Sequence, residues 1–313
     1  MRTIKKIFAV VCLSAMVLSC VACGGTEENN NVSVTPTNKP ELTPEVTPAI
    51  SPEGETENKT DEEVVDVLES WKDEGVKNQI IEFVTEACDE NSENFIPVED
   101  RIVVTDIDGT LIAEKGIKVN NDDMCYKTPE EACEYFKSIE NDYFDNTKQL
   151  QYNNIIYKPM IELYDYLVAN DFEVYFVSGN CNALTYALAN YFFETDYAHA
   201  IGSNVELKVD ETNGFQLVPT GKYEGSWCEV KCYRIYNQIG KCPVLAIGNS
   251  DGDVEMLQWV LSNSEYQGMS IMINHDDERE YVYNTDLITS FCDEHGFINL
   301  LMSQNFETIF VNE

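Results

Sequence analysis

The chain has 313 residues, a formal net charge of −36 at pH 7 and 43 % hydrophobic residues. This length and apolar fraction allow one sizeable domain or two small ones, each with a full core. A surface this acidic repels nucleic acids and anionic lipids, so the charge excludes nucleic-acid binding. An anionic substrate would need a cation or local positive groups at its site.

The first 23 residues are typical of an export signal. Three positive residues precede an apolar run at 7–19 that is too short to span a bilayer comfortably. The run ends in Leu-Ser-Cys-Val-Ala-Cys-Gly-Gly, which resembles the lipobox of bacterial lipoproteins. We therefore expect residues 1–23 to be a lipoprotein signal peptide and Cys23 to carry the lipid. Lipidation of Cys20 and an ordinary secretory signal are the alternatives.

Residues 24–60 have the composition of a tether. Prolines recur at intervals of four from Pro36 to Pro52, among Thr, Glu, Asn and Ser, and the segment has no aromatic residue. Such a segment buries little and stays disordered and fairly extended. We expect the domain at 61–313 to be held outside the cell, anchored to the bacterial cell membrane through the N-terminal lipid alone.

Within the domain, short apolar runs alternate with helical patterns. Buried strands are predicted at 102–105, 172–177, 243–247 and 270–273. Helices are predicted at 61–74, 77–87, 155–170, 183–193, 229–239 and 254–261, a hairpin at 204–218, and a mostly helical end at 281–310 with a short strand-like piece. This alternation predicts an α/β fold, a doubly wound parallel sheet with helices on both faces.

Residues 112–155 interrupt the alternation. They are polar and acidic, with a helical piece at 129–139 and no pattern typical of a sheet. Because they follow the first strand end directly, we expect a small cap over the site, with a surface excursion of no catalytic role as the alternative.

Polar clusters follow three of the predicted strands. They are Asp106-Ile-Asp108-Gly-Thr110, Ser178-Gly179-Asn180 and Gly248-Asn249-Ser-Asp-Gly-Asp253. Alone, each cluster is also compatible with a turn or a helix cap. In a parallel sheet all three lie at one edge, where ligands of such sheets bind.

The residue types at these strand ends suit phosphoryl chemistry. Carboxylate oxygens favour Mg²⁺, which would offset the repulsion between acidic side chains and a phosphate. Asp106 could attack phosphorus as a nucleophile, and Asp108 could exchange a proton with the leaving alcohol and with water. Ser178 and Lys231 could bind phosphoryl oxygens. A solvated helix position is the alternative for Lys231.

These motifs, in this order, resemble the four motifs of the haloacid dehalogenase-like superfamily, and the domain is similar to its phosphoserine phosphatase-related branch. The stretches that carry the resemblance to the branch include 95–101, 157–160, 248–259 and His275-Asp-Asp-Glu-Arg-Glu-Tyr281. The resemblance implies an aspartyl-phosphate at Asp106 and Mg²⁺ held by Asp106, the main-chain carbonyl of Asp108 and a residue of the fourth motif.

The same resemblance implies phosphate binding by Thr110, Ser178, Gly179 and Lys231. One departure concerns the metal: many members have Asp where this chain has Asn249. An amide oxygen can still be a ligand, so the fourth-motif ligand is Asn249 or Asp253.

The predicted function is Mg²⁺-dependent hydrolysis of a small phosphorylated molecule. A phosphotransferase or mutase of the same fold is one alternative, and a non-catalytic surface binding lipoprotein is another. The eight cysteines after Cys23 contain no Cys-x-x-Cys pair, so buried thiols or a disulfide are favoured over a metal–thiolate site.

Overall fold

A computed structural model of the chain describes residues 67–72, 75–114, 119, 121–145, 147–212 and 214–312. The predicted signal peptide, the linker at 24–60 and the lipidation site Cys23 lie outside the described residues. In the part of the chain that is described, no helix is both long and apolar enough to cross a membrane.

Helices and strands alternate along most of the chain. The helices are α1 Val76–Cys88, α2 Asn121–Met124, α3 Pro129–Ile139, α4 Lys158–Ala169, α5 Asn182–Phe193, α6 Glu229–Ile239, α7 Val254–Leu261, α8 Thr285–His295 and α9 Met302–Asn305. The strands are β1 Ile102–Thr105, β2 Tyr143–Asp145, β3 Leu150–Gln151, β4 Glu173–Cys181, β5 Ala200–Asp210, β6 Gln216–Glu224, β7 Leu245–Gly248, β8 Met269–Asn274 and β9 Ile298–Leu301.

Seven strands form one sheet in the order β6-β5-β4-β1-β7-β8-β9. Every neighbouring pair is parallel except β5 and β6, which form an antiparallel hairpin at one end. Strands β4, β5 and β6 lie on one side of β1, and the later strands β7, β8 and β9 lie on its other side. The carboxyl ends of β4, β1 and β7 therefore lie side by side where the direction reverses, which is where ligands of such sheets bind.

Apolar side chains fill both faces of the sheet. Val103 packs in the core on one face, with buried residues of α1, α4 and α5. The next residue, Val104, packs on the other face with residues of α6, α7 and α8, such as Ile235 and Leu257. Successive strand side chains point to opposite faces, so a strand covered by helices on both sides is apolar throughout, as β1 is. The predicted α/β fold with a doubly wound, mostly parallel sheet is confirmed.

The main sheet has more strands at its two edges than the sequence predicted. The hairpin at 204–218 was predicted separately, but β5 pairs in parallel with β4 and so joins the main sheet. The last strand, β9, is the strand-like piece expected within 281–310 and pairs with β8. Much of each hairpin strand is exposed, which hid the buried-strand pattern that identified the central strands.

The insertion after β1 contains more than helix. The helix predicted at 129–139 is confirmed as α3, whose N-cap Thr128 forms a capping box with Glu131. The expectation that this segment has no sheet was wrong, because β2 and β3 form a small antiparallel pair. Buried Phe144 in β2 packs edge-to-face on Tyr152, 5.7 Å between ring centroids, and this aromatic contact anchors the pair.

The helix predicted at 61–74 is not seen where the structure describes it. Residues 67–70 form a turn, and Trp71 forms an isolated bridge with Phe306. The Trp71 indole is buried, lies 4.9 Å from the Phe306 ring centroid and donates its Nε1–H to Pro159 O at 2.9 Å. Contacts with Phe306 and with α4 therefore account for the burial of Trp71.

Candidate active site

The first predicted site residues follow β1 directly. The Asp106 N–H donates to Ile247 O at 2.9 Å and so extends the pairing of β1 with β7. The chain then turns at Gly109, whose φ of +75° lies in the left-handed region that favours glycine. A Cβ at Gly109 would lie 2.2 Å from Asn249 Nδ2, so glycine also allows the first and fourth motifs to meet. This turn presents Asp106 and Asp108 at the carboxyl edge of the sheet.

Lys231 joins two carboxylates at the base of the site. Its Nζ lies 2.5 Å from Asp106 Oδ1 and 2.6 Å from Asp253 Oδ1. The lysine comes from α6 and is 3 % exposed. Burial opposes its charge, but the two adjacent carboxylates outweigh this effect and raise the pKa of Lys231. A positive charge is therefore held where a phosphate dianion would need one, and the solvated alternative for Lys231 is wrong.

Asp106 is in an environment that favours an added cation. Burial raises the pKa of its carboxyl well above the ordinary value, Lys231 opposes the rise, and the nearby carboxylates of Asp253 and Asp108 add to it. A positive charge bound beside Asp106 would relieve this repulsion and favour the ionised, nucleophilic form.

Both carboxylate oxygens of Asp253 are engaged within the protein. Oδ1 contacts Lys231, and Oδ2 accepts from the N–H groups of Asn249 at 3.1 Å and Ser250 at 3.0 Å and from the Ser250 hydroxyl at 3.0 Å. A Cβ at Gly248 would lie 2.5 Å from Asp253 Cβ, which explains the glycine at the end of β7. The carboxylate thus holds the lysine and closes the fourth-motif loop. Its role as a metal ligand stays a prediction.

Asp108 is held by the second motif. Asn180 Nδ2 donates to Asp108 Oδ2 at 2.7 Å, and Ser178 Oγ donates to the same oxygen at 3.4 Å. Burial raises the pKa of Asp108 to about 6, against the opposing effects of Lys231 and these two donors. A carboxyl group that titrates near neutral pH is suited to giving and taking a proton.

The second motif is not the turn that was predicted. Ser178, Gly179 and Asn180 lie within β4, which runs to Cys181 with a register irregularity against β5 after Val177. The Asn180 N–H donates to Ser178 Oγ at 3.1 Å, and α5 has no side-chain cap, so the helix cap that was the alternative for this cluster is not formed. Asn180 is a site residue to which the sequence assigned no role, although it directly follows the Ser-Gly pair.

Exposed Trp227 borders the second motif. A Cβ at Gly179 would lie 3.2 Å from its Cε3 atom, and a Cβ at Gly225 would lie 2.3 Å from its Cη2 atom. The indole is 51 % exposed. Gly179 therefore gives room to the aromatic side chain, and its predicted contact with phosphate stays a prediction.

The fourth motif and the first also meet through side chains. Buried Thr110 donates its hydroxyl to Asn249 Oδ1 at 3.0 Å. The other amide atom, Asn249 Nδ2, donates to Tyr283 Oη at 3.1 Å and to Glu114 Oε2 at 3.4 Å. Thr110 is thus placed to orient Asn249, and its predicted phosphate contact stays a prediction. Glu114 and Tyr283 had no assigned role, because nothing in their local sequence pattern distinguishes them from surface residues.

The donor set at this edge fits Mg²⁺. Asp106 offers a carboxylate oxygen, Asp108 a main-chain carbonyl and Asn249 an amide oxygen, and all three residues meet around the glycine turn at 109. These are hard oxygen donors, the type that Mg²⁺ prefers. The repulsion that raises the pKa of Asp106 is the kind that a divalent cation removes. Asn249 Oδ1 accepts one hydrogen bond, from Thr110, whereas Asp253 Oδ2 accepts three and Oδ1 contacts Lys231, so Asn249 is better suited than Asp253 to complete the set.

The cysteines contribute no disulfide in the described part of the chain, where all eight are free thiols. Cys228, Glu229 and Glu255 bring one potential ligand atom each to within 4.8 Å of one another. Burial is the first cause that raises the pKa of Cys228, and nearby carboxylates raise it further. Because a thiol must lose its proton to bind a metal, this raised pKa disfavours metal binding at Cys228.

Fold and site together define an α/β protein with a mostly parallel sheet, in which Lys231 bridges Asp106, after the central strand, and Asp253, after β7. Neither a family model nor a curated protein matches the sequence. Solved structures are similar at low identity, as three examples show.

A protein of unknown function from Bordetella pertussis Tohama I is 12 % identical with a TM-score of 0.42, over 64 % of this chain and 98 % of that one. Cytosolic 5'-nucleotidase IIIB bound to cytidine is 13 % identical with a TM-score of 0.38, over 72 % and 84 %. A HAD family hydrolase from Salmonella enterica serovar Typhi is 12 % identical with a TM-score of 0.36, over 66 % and 68 %. Each TM-score is below 0.5, so only the site itself bears on the function of this chain.

Proposed function

We propose that this protein is a Mg²⁺-dependent phosphomonoester hydrolase of the haloacid dehalogenase-like type that acts through an aspartyl-phosphate. The observation that carries the proposal is that buried Lys231 contacts both Asp106 and Asp253 at the edge where β4, β1 and β7 end. Asp108 lies at the same edge, two residues after Asp106. A nucleophile, a proton carrier and a fixed positive charge are the groups that phosphoryl transfer to a carboxylate requires.

In the first half-reaction, a carboxylate oxygen of Asp106 attacks phosphorus and the bond from phosphorus to the ester oxygen breaks. Asp108, whose pKa is raised to about 6 by burial, gives its proton to the leaving alcohol. Asn180 and Ser178 hold the carboxyl group toward the reacting centre through their bonds to Oδ2. Lys231 offsets the negative charge of the phosphoryl oxygens.

In the second half-reaction, water attacks the phosphorus of the aspartyl-phosphate and Asp108 takes the proton that water loses. The bond between phosphorus and the Asp106 oxygen breaks, which releases inorganic phosphate and restores the carboxylate. Asp253 also contacts Lys231, so the lysine keeps a carboxylate partner when Asp106 becomes phosphorylated.

Asp106, the Asp108 carbonyl and Asn249 are the residues that would hold Mg²⁺. The bound ion would neutralise charge between the carboxylates and the phosphate, in a protein whose net charge of −36 otherwise repels anions. The alternative third ligand, Asp253, already has contacts to Lys231 and the fourth-motif loop, which leave its oxygens less capacity for an ion.

We also propose that the enzyme acts outside the cytoplasm, tethered by a lipid on Cys23 and the linker at 24–60. The support for this location is the sequence of the leader and linker. The substrate would then be a small phosphorylated molecule outside the membrane.

The test of the hydrolase is release of phosphate from a generic aryl phosphate by the purified full-length chain, with Mg²⁺ and with EDTA. We expect release that depends on the metal and that falls at least about a thousandfold in Asp106→Asn, a loss of about 4 kcal/mol of transition-state stabilisation.

Asp165→Asn, at an exposed position on α4, is the matched control and should keep full activity. Activity that survives Asp106→Asn would exclude Asp106 as the nucleophile. Failure to release phosphate from a broad panel of esters would favour the binding lipoprotein, and transfer of the phosphoryl group to an added alcohol in preference to water would favour the phosphotransferase.

A further inference from the structure

The side-chain amide of Asn249 can lie in two orientations, with either its oxygen or its NH₂ group toward the site. An amide has one oxygen and one NH₂ group, whereas the Asp found at this position in many similar proteins has two equivalent oxygens. Asn249 can serve as a cation ligand only with its oxygen turned toward the site. The residue as a whole is 2 % exposed, so its surroundings decide the orientation.

Glu114 and Tyr283 contact one side of this amide. Glu114 Oε2 lies 3.4 Å from Asn249 Nδ2, and Tyr283 Oη lies 3.1 Å from the same atom. A carboxylate only accepts hydrogen bonds, so the amide atom that faces Glu114 must be the NH₂ group. The opposite atom, Oδ1, then faces Thr110, whose hydroxyl donates to it at 3.0 Å. The assignment of the amide atoms thus follows from the chemistry of the neighbours.

Tyr283 is itself fixed by a buried histidine. The rings of Tyr283 and His275 are stacked, 4.5 Å between centroids and 27° between planes. His275 Nε2 lies 2.7 Å from Gly109 O, and its Nδ1 lies 3.0 Å from Glu280 Oε2. The histidine therefore joins the segment after β8 to the catalytic turn, and the tyrosine stacked on it reaches the fourth motif.

Gly109 leaves the space that this arrangement needs. A Cβ there would lie 2.2 Å from Asn249 Nδ2 and 2.9 Å from Tyr283 Oη. The amide and the phenol oxygen thus pack directly against the turn that carries Asp106 and Asp108.

We propose that Glu114 and Tyr283 are positioning residues, which turn the amide oxygen of Asn249 toward the cation of the active site. The inference rests on the proposed function for the identity of the site. It also explains how an asparagine can replace an aspartate at this position. Glu114 contacts Asn249 directly and supplies the acceptor that fixes the orientation of the amide. A carboxylate at 249 would need no such orientation and would be repelled by Glu114.

The experiment measures Mg²⁺ affinity by titration calorimetry on the full-length chain, so the readout does not depend on turnover. We expect Glu114→Gln and Tyr283→Phe each to weaken Mg²⁺ binding about tenfold, the lower end of what loss of an outer partner of a metal ligand costs. Tyr266→Phe removes a phenol bonded to Asp100 instead, and as the matched control it should change the affinity less than twofold.

A second pair of variants separates orientation from simple structural support. In the Asn249→Asp variant either side-chain oxygen can face the cation. Adding Glu114→Gln to that variant should therefore not weaken Mg²⁺ binding further. The double variant should bind Mg²⁺ at least as tightly as the unmodified chain. A residue that only supports the fold would cost the same in both backgrounds.

The proposal is overturned if Glu114→Gln and Tyr283→Phe leave the affinity within twofold of the unmodified chain, if the loss persists in the Asn249→Asp background, or if the unmodified chain binds no Mg²⁺. Phosphate release is tested separately through Asp106→Asn. A chain that shows these effects on Mg²⁺ binding but hydrolyses no ester would refute the hydrolase and retain the orientation of Asn249.

Discussion

Asp106 and Asp108 are two residues apart and yet have different partners. Asp106 is bonded to the ammonium group of Lys231, whereas Asp108 accepts from the amide of Asn180 and the hydroxyl of Ser178. A charged partner suits a group that must be an ionised nucleophile, and neutral donors suit a group that must change protonation in each half-reaction. The environments therefore distinguish the two roles that the resemblance implies for them.

Substitution of Asp108 should reveal the cost of its burial. Its folded pKa of about 6 lies above the ordinary value of 3.8, so its favourable contribution to stability is complete below pH 3.8 and is lost as the pH rises through 6. The side chain of the Asp108→Asn variant stays neutral at both pH values. Without metal, the free energy of unfolding of this variant should therefore be higher than that of the unmodified chain, by up to about 3 kcal/mol at pH 7.5 and by far less at pH 4.5.

Urea unfolding in EDTA at the two pH values measures this difference. Asp165→Asn, exposed on α4, controls for the loss of an aspartate in general. A gain in stability from Asp108→Asn of equal size at both pH values would contradict the assigned pKa.

At the scale of elements, the central strands and helix α3 could be predicted from sequence, whereas the pairing of the edge strands and the β2–β3 pair of the insertion could not. β1 and β7 are buried along their whole length, so composition alone reveals them. In β5 only the first four residues are buried and the rest are mostly exposed, which hides its pairing with β4. Asp106 and Asp108 were predicted as site residues because strand ends converge, and Lys231 was predicted because the polar clusters at those ends would bind a phosphate. Glu114 and Tyr283 were missed, because their contacts with Asn249 depend on packing between segments far apart in sequence.

The capping box of α3 should stabilise the insertion. Thr128 Oγ1 accepts from the Glu131 N–H at 3.3 Å, and Glu131 Oε2 accepts from the Thr128 N–H at 2.9 Å. Thr128→Ala should lower the free energy of unfolding by about 1 kcal/mol, because the helix loses its N-cap acceptor. Urea unfolding provides the measurement.

Thr128→Ser retains a hydroxyl and should lose little of that stability. If Thr128→Ala and Thr128→Ser unfolded at the same urea concentration as the unmodified chain, the cap would not contribute to the cooperative unit that unfolds.

For the whole molecule, the net charge of −36 contrasts with the buried positive charge of Lys231 at the catalytic edge. Long-range attraction cannot bring an anionic ester to this surface, so affinity must come from groups within the site.

The anchor is tested by mass. The mature chain from bacterial membranes should carry the mass of a lipid, Cys23→Ala should lose it, and Cys20→Ala should retain it, because the lipid is attached to the cysteine at the end of the lipobox. Lipid that persists in Cys23→Ala would move the anchor to Cys20, and absence of lipid from the unmodified chain would favour an ordinary secretory signal.

The position of β1 between β4 and β7 has a consequence for biosynthesis. Asp106 emerges from the ribosome 125 residues before Lys231, and Asn249 emerges 34 residues before Tyr283. A nascent chain therefore carries Asp106 long before the lysine, the fourth motif and the histidine–tyrosine stack are present. We expect a chain that ends before Lys231 to lack the proposed activity, because the positive charge that contacts Asp106 is then missing.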